Sequence, residues 1–333
     1  MSKPKKAVGP IVRHWALVNG SGMARVAESL AEAEVKLGLD SKVVSLDDQP
    51  SWEPAMNADV HVVHTHFPTK MNKARKKGSK TVWVGHGTPD HVFQNAAESA
   101  QNGAYGHSDD VMLMQHWLKM ADAKVTFWER HKWIYDSMLP VAARKTDLIP
   151  LGVDKAFWSA GVTRGKYAGE PSVFTAENPH YIKWPYDLVT AWPAVLEQVT
   201  EARLHMIYLP RDMHRTFIPW MNANGASFGS YISPSVFTKE ELRNAFQSTD
   251  YTIGLVRYGD LNHLSLQANA AGSKTISYTG NPHAAYWIPE GDQREIAKHL
   301  IAILKGDVMP RKSTEVPDIS DTARAFIQLY ETL

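Results

Sequence analysis

The sequence predicts an α/β protein made of two successive units, each built around a parallel sheet. Short runs of β-type residues alternate with longer amphipathic patterns along the chain, as is typical of parallel α/β units. The chain has 333 residues, and at roughly 100–200 residues per domain this length favours two domains. With 44% hydrophobic and 21% charged residues, the composition supports buried cores and argues against a disordered chain.

The first half opens with a strand over 11–19 that ends in a glycine-rich turn. A helix over 23–37 follows, because apolar residues recur at helical spacing from Val26 to Leu37 and Gly38 supplies a stop. The other elements of this half are strands at 41–46, 58–66, 80–87, 123–128 and 146–154 and helices near 109–122 and 129–139.

The second half follows a glycine-containing stretch, 159–171, that lacks an apolar period and reads as a linker. We therefore predict domains at 1–162, with the last helix of 318–333 added, and at 163–317. The elements of this half are strands at 172–176, 202–210, 228–233, 250–256 and 274–278 and helices at 184–199, 213–224, 238–247, 261–271 and 319–332. Two such halves suggest Rossmann-like domains facing across a cleft, with ligands at the carboxyl ends of the strands.

Charge and cysteine content exclude several kinds of function. The net charge is +1, so there is no bulk electrostatic drive toward nucleic acid or anionic membrane. The absence of cysteine removes disulfides, zinc-thiolate sites and thiol catalysis, and fits a cytoplasmic protein. The amino-terminal apolar run is interrupted by Pro10 and Arg13, and no stretch reaches the length of a membrane span.

Histidines collect where the strands of the first half end. His64 and His66 follow the third strand, and His86 and His91 follow the fourth. A histidine there can position a hydroxyl, act as an acid or base, or bind a metal, although a structural role is commoner for any single one. Because the chain contains no Asp-x-Asp pair for a divalent cation, we predict that no metal is bound.

A second candidate site lies at the start of the helix 261–271. Gly259, Asp260, Asn262 and His263 precede or open this helix, whose free amides can cradle a diphosphate. Lys183 follows the first strand of the same half, where its ammonium can meet the same phosphates. The early glycine pattern is GxGxxR, which disfavours a nicotinamide enzyme.

These segments together resemble the retaining GT-B glycosyltransferases of the mannosyltransferase and glycogen-synthase kind, over nearly the whole chain and in order. The most specific match is LIPLGVDKAFW at 148–158, which resembles the family's "IPNGVD…F" segment. ADVHVVHTH at 58–66 resembles its "DVVHAH" strand, and LSLQANAAGSKTISYTGNP at 264–282 its "LLEAMACGxPVV" stretch. The last helix resembles the one that crosses back to the first domain.

The resemblance implies roles for individual residues. His86 corresponds to the histidine beside the transferred sugar. The two glutamates of the E-x7-E motif are replaced by Gly259 and Gln267, and Asp260 is the neighbour that can substitute for the first. His64, His66 and His91 are candidates for acceptor binding. The donor-binding candidates are Gly22, Asn178, Lys183, Tyr231, Ser233, Gly259, Leu261, Asn262, His263, Leu264 and Gln267.

The function that this resemblance implies is transfer of a sugar from a nucleoside diphosphate sugar, with UDP as the favoured nucleotide, to an acceptor hydroxyl. Stereochemistry would be retained, and neither a metal nor another cofactor would be needed. The acceptor is a glycan, a small molecule or a hydroxylated DNA base, the last because the run 70–80 carries six basic residues. The alternatives are a binding protein that has lost catalysis and a sugar-nucleotide epimerase.

Overall fold

The computed structural model describes residues 9–16, 22–48, 52–64, 76–86, 116, 118–139, 143–161, 167, 170–176, 185–206, 219, 228–231, 237–256 and 262–333. The chain divides into unit 1, Met1–Asp154 with Pro317–Leu333, and unit 2, Lys155–Val316. Residues 155–159, which the sequence placed in the first domain, form a helix whose Trp158 packs against Phe246 of unit 2.

Unit 1 contains a six-stranded sheet in which every pair of neighbouring strands is parallel. Its spatial order is β2-β1-β3-β4-β5-β6. The strands are β1 (Ile11–Ala16), β2 (Asp40–Ser45), β3 (Val60–Val63), β4 (Lys80–Gly85), β5 (Ala123–Thr126) and β6 (Asp147–Leu148). β3 and β5 are buried along their whole length, as expected for inner strands of a parallel sheet covered on both faces.

The described helices of unit 1 each bury at least one apolar side chain. They are α1 (Gly22–Lys36), α2 (Trp52–Ala55), α3 (Glu129–Ser137) and the last helix of the chain, α9 (Ile319–Glu331). α9 packs against α1 and buries Phe326 and Tyr330. The backbone at Gly152 lies directly against the backbone at Asp318, just before α9. Only glycine fits there, because a Cβ would come within 2.3 Å of the Asp318 carbonyl oxygen.

Unit 2 contains a second six-stranded parallel sheet, in the order β12-β11-β10-β7-β8-β9. Its strands are β7 (Ser172–Thr175), β8 (Arg203–Met206), β9 (Phe228–Tyr231), β10 (Tyr251–Gly254), β11 (Lys274–Tyr278) and β12 (Tyr286–Ile288). Its described helices are α4 (Lys155–Ser159), α5 (Pro185–Gln198), α6 (Lys239–Gln247), α7 (His263–Ala270) and α8 (Gln293–Leu304).

In both units an aspartate side chain accepts two hydrogen bonds from the start of a neighbouring strand. In unit 1, the Thr81 amide and hydroxyl donate to Asp122 Oδ2 at 2.8 and 3.0 Å. In unit 2, the Ser172 amide and hydroxyl donate to Asp250 Oδ2 at the same two distances. Each carboxylate satisfies two donors at the amino edge of its sheet, where the ladder of strand hydrogen bonds has just begun.

The alternation of elements predicted from the sequence is present, with local differences. β12 and α8 were not predicted from the sequence, although α8 carries an Asp292 cap whose carboxylate accepts from the Arg294 and Glu295 amides. β12 has only three residues, too few for an apolar alternation to register. The helix predicted at 213–224 and most of the one near 109–122 lie outside the described residues. None of the described helices is long and apolar enough to cross a membrane.

Candidate functional site

Each sheet has one switch point, where successive strands along the chain stop being added on one side of the sheet and start being added on the other. Polar side chains lie beside both switch points. In unit 1 the reversal lies between β1 and β3, and in unit 2 between β7 and β10. Open α/β sheets bind ligands outside the carboxyl ends of the strands at such switch points. His64 follows β3 in unit 1, and α7 follows β10 in unit 2.

The switch point of unit 1 holds a row of three histidines joined ring to ring. His64 Nδ1 lies 2.7 Å from Nε2 of His86, the residue directly after β4. His64 Nε2 lies 3.0 Å from Nδ1 of His14, in the middle of β1. His14 and His64 are buried, whereas His86 is partly exposed and packs its ring against Phe127.

The inner end of the row is a buried carboxylate. His14 Nε2 lies 2.8 Å from Glu34 Oε2, and neither side chain is exposed to solvent. The Ser41 hydroxyl donates to the same oxygen at 2.6 Å, and the Tyr330 hydroxyl of α9 donates to Oε1 at 2.8 Å. Glu34, on α1, is therefore hydrogen-bonded to residues of β1, β2 and α9. These three donors offset the cost of burying its charge.

The surroundings determine which of these groups are charged. Burial raises the pKa of Glu34, but the adjacent His14 and the hydrogen bonds from His14, Ser41 and Tyr330 together bring that pKa below its ordinary value. Burial, with the nearby Glu34 charge, raises the pKa of Tyr330 well above its ordinary value, so Tyr330 remains a donor. Burial, with repulsion from His86 and His14, lowers the pKa of His64 well below 6.5.

The lowered pKa of His64 predicts a loss of stability on mild acidification. Below about pH 6.5 the unfolded chain binds a proton at His64 that the folded chain does not, so the free energy of unfolding falls by at most about 1.4 kcal/mol per pH unit. The slope from about pH 7 to about pH 5, measured by urea unfolding, should be smaller in His64→Gln than in the parent chain. Equal slopes in the two proteins would contradict the assignment.

Part of this row was predicted from the sequence. His64 and His86, both predicted as site residues, are in direct contact, and His64 was an acceptor-binding candidate. Both ring nitrogens of His64 are engaged by other histidines. His66 and His91 lie outside the described residues. His14, Glu34 and Tyr330 were not predicted, although Glu34 stands four residues after Leu30 on the apolar face of α1, where a carboxylate is unusual.

The switch point of unit 2 is the start of α7. The Asn262 side chain accepts a hydrogen bond from the Leu264 amide at 2.9 Å and so caps the helix. Gly254, the last residue of β10, leaves room for this cap, because a Cβ there would come within 2.3 Å of Asn262 Nδ2. The hydroxyl of Ser265, in the first turn, is buried and has no hydrogen-bond partner among the described residues.

Two further polar side chains lie on the same helix. His263 opens α7 and is partly exposed, and its Nδ1 lies 3.4 Å from Nε2 of Gln267, one turn later. Gln267 is buried, with 7% of its surface exposed. Among the described residues, the Gln267 amide has one weak contact, with His263, and an amide in this position can orient a polar ligand at the end of β10.

Other predicted donor residues are placed only in part. Gly22 is exposed and opens α1, and a Cβ there would meet no described atom within 4 Å. Tyr231 ends β9. Asn178, Lys183, Ser233, Gly259, Asp260 and Leu261 lie outside the described residues. Among the residues that are described, no three His, Cys, Asp or Glu side chains are grouped as ligands of a metal ion.

Comparison with known proteins identifies the fold. No family model and no curated protein sequence matches the chain. A sucrose-phosphate synthase from Thermosynechococcus elongatus matches it with a TM-score of 0.68 and 14% identity, over 96% of this chain and 94% of that one. Anabaena HepE in complex with UDP-glucose matches with a TM-score of 0.63 and 9% identity, over 96% and 95% of the two chains.

A third similar structure is described as "Trehalose-6-phosphate from E. coli bound with UDP-2-fluoro glucose". It has a TM-score of 0.63 and 12% identity, over 97% of this chain and 99% of that one. All three matches cover nearly the full length of this chain and of the similar structure. The similarity therefore includes both units and is not limited to one Rossmann-like half. The chain therefore has the fold of the GT-B glycosyltransferases, as its sequence motifs predicted.

Proposed function

We propose that this protein is a glycosyltransferase that moves a sugar from a UDP-sugar to an acceptor hydroxyl. The observation that carries the proposal is the full-length likeness to GT-B structures, among them HepE with UDP-glucose and the E. coli structure with UDP-2-fluoro glucose. The polar groups gathered at the switch point of each sheet support it independently, since they stand where α/β sheets bind ligands.

The donor diphosphate is assigned to the start of α7. The first amides of a helix and its positive dipole end favour an anion. The buried Ser265 hydroxyl in the first turn is one more donor for a phosphate oxygen, and Gly254 keeps β10 free of a side chain at the same place. Lys183 would add a positive charge to this site.

Gln267 is assigned to the ribose hydroxyls. Gln267 is buried on α7, one turn after His263, and by the resemblance it replaces the second glutamate of the E-x7-E motif with a neutral amide. An amide offers both a donor and an acceptor, so it can still pair with a hydroxyl although it lacks the charge.

We propose further that the reaction proceeds with retention and needs neither a metal nor another cofactor. In this scheme the developing charge on the leaving diphosphate is stabilised by the α7 amides and by Lys183, as preorganised donors do in other active sites. The resemblance assigns Asp260 and His86 to the transferred sugar.

The acceptor belongs to unit 1 in this proposal, and its chemical class is a glycan or small molecule. A hydroxylated DNA base was the alternative, based on the basic run 70–80, of which 76–80 is described. There Lys76 pairs with Asp59 at 2.7 Å, and Lys80 lies 3.9 Å from Asp122. These carboxylates partly neutralise the lysines, which weakens the case for a phosphate-binding surface.

A binding protein without catalysis is the second candidate. The specific observation in its favour is that Gly259 and Gln267 replace both glutamates of the motif. Such a protein would bind the nucleotide sugar but release no UDP from it with any acceptor, so turnover separates the two candidates.

Nucleotide binding provides the direct test of the donor site. At about one hundred times its Kd, UDP should stabilise the chain by about 2.7 kcal/mol and raise its Tm, whereas ADP, CDP and GDP should raise it less. Gln267→Ala removes one hydrogen bond to the ribose and should weaken UDP binding about tenfold.

Gln198→Ala is the matched control for this experiment. Gln198 is an exposed residue at the end of α5 in the same unit, where its side chain accepts from Lys305 at 3.4 Å. It should bind UDP like the parent chain. If no nucleoside diphosphate raises the Tm of the parent chain, the donor-site assignment is wrong.

A further inference from the structure

The three histidines and Glu34 form a continuous hydrogen-bonded row through the interior of unit 1, here called the relay row: His86, His64, His14 and Glu34. Its three links measure 2.7, 3.0 and 2.8 Å. Each link joins a ring nitrogen to the next ring nitrogen or to the carboxylate, so every link needs one proton and one lone pair.

The carboxylate fixes the direction of all three protons. Glu34 has no proton to give, since its pKa is lowered and it already accepts from Ser41 and Tyr330. His14 must therefore carry its proton on Nε2. If His14 is neutral, its Nδ1 then has a lone pair, so the His64 nitrogen facing it, Nε2, must carry the proton of His64. His64 Nδ1 then has a lone pair, so the proton of His86 must be on its Nε2.

We propose that Glu34, His14 and His64 are positioning residues that set the protonation of His86 and relay a proton from it to the interior. When a proton binds to His86 Nδ1, the Nε2 proton of His86 passes to His64 Nδ1. The Nε2 proton of His64 then passes to His14 Nδ1. His14 becomes an imidazolium that keeps its Nε2 proton on Glu34. The same steps in reverse return a proton to His86 Nε2, after which His86 releases the proton on its Nδ1.

The groups around the row favour this end point for the positive charge. His14 stands against the Glu34 carboxylate, whereas His64 is buried between two other imidazoles, which lower its pKa. Described side chains that contact the row include Ser41 from β2 and Tyr330 from α9 at its inner end, and Phe127 after β5 at its outer end. Of these only Tyr330 titrates, and its raised pKa keeps it neutral.

The role of the row in catalysis rests on the proposed function, which places His86 at the transferred sugar. There the row would determine which nitrogen of His86 holds a proton, and it would let Nδ1 accept a proton from a hydroxyl and return it. The hydrogen-bond order within the row does not depend on that function and can be measured without any substrate.

The test is nitrogen NMR of the imidazoles in the intact protein labelled at histidine. At about pH 8, where an ordinary histidine is neutral, His14, His64 and His86 should each show a protonated Nε2 and an unprotonated Nδ1. A protonated Nδ1 on neutral His86 or His64 would overturn the proposal, whatever any variant does.

A charge-removing variant tests the relay itself. In Glu34→Gln the shape is kept but the imidazolium loses its counter-charge, so the pH midpoint for proton uptake, read at His86 Nδ1, should fall by at least about 1 pH unit. Tyr330→Phe is the matched control, because it removes a hydrogen bond to Glu34 but leaves the charge, and its midpoint should stay near that of the parent chain. The same midpoint at His86 in Glu34→Gln and in the parent chain would refute the relay, because Glu34 and His86 are separated by two rings.

The relay and the proposed function fail in different ways. If the NMR signals follow the expected order but the parent chain binds no nucleoside diphosphate and turns over no UDP-sugar, the proposed function is wrong and the relay row remains. If UDP-glucose is turned over but the histidines show another proton order, the relay is wrong and the function remains.

Discussion

Glu34→Ala should lower the free energy of unfolding of unit 1 by about 3 kcal/mol or more, because each buried donor left without an acceptor costs about 1–3 kcal/mol. Three donors lose their acceptor at once: His14 Nε2, the Ser41 hydroxyl and the Tyr330 hydroxyl. All lie in the interior, where water does not readily replace the lost carboxylate, and the shorter side chain also leaves a cavity. Urea unfolding followed by tryptophan fluorescence would measure the loss.

Glu32→Ala is the control for this substitution. Glu32 lies on the same helix but is exposed, and surface substitutions of this kind usually change stability by no more than about 0.5 kcal/mol. If Glu34→Ala and Glu32→Ala lowered the free energy of unfolding equally, the buried Glu34 carboxylate would not be stabilising the interior of unit 1.

His86→Ala should lower the turnover of a UDP-sugar about 100-fold or more, the contribution usual for a positioned acid, base or hydrogen-bonding side chain. His86 is the partly exposed end of the relay row, whereas the donor diphosphate is assigned to α7 of unit 2. The Kd for UDP should therefore stay near that of the parent chain while kcat falls. Release of UDP from a panel of UDP-sugars would measure kcat, and a Tm titration would measure binding.

His299→Ala serves as the comparison for His86→Ala. His299 lies on α8 of unit 2, where Nδ1 is 2.8 Å from the Glu295 carbonyl oxygen, and its removal should leave both kcat and the Kd for UDP unchanged. A His86→Ala protein that turns over UDP-sugar as fast as the His299→Ala protein would remove His86 from the mechanism.

The alternation of elements was predictable because it depends on local patterns. The α1 helix, for example, is evident from apolar spacing between Val26 and Leu37, and the inner strands are evident as short apolar runs. Boundaries were less accurate. The strand predicted at 250–256 ends as β10 at Gly254, the last of its residues that pairs with β11.

The relay row was only half predictable, because it depends on which strands become neighbours. His64 and His86 follow strands, a position that suggests function by itself. His14 lies inside a strand and Glu34 inside a helix, and each alone is most simply explained by local structure. Only the order β1-β3-β4, with α1 and α9 packed nearby, brings them together with Tyr330, which lies 296 residues from Glu34 in the chain.

That separation also has a consequence for how unit 1 folds. The cost of closing a flexible loop grows with the logarithm of its length, so joining residues 34 and 330 through an unfolded chain is slow and entropically unfavourable. All of unit 2, Lys155–Val316, lies within that loop. If unit 2 folds first, it shortens the loop before α9 docks, so variants that slow the folding of unit 2 should also delay the burial of Glu34.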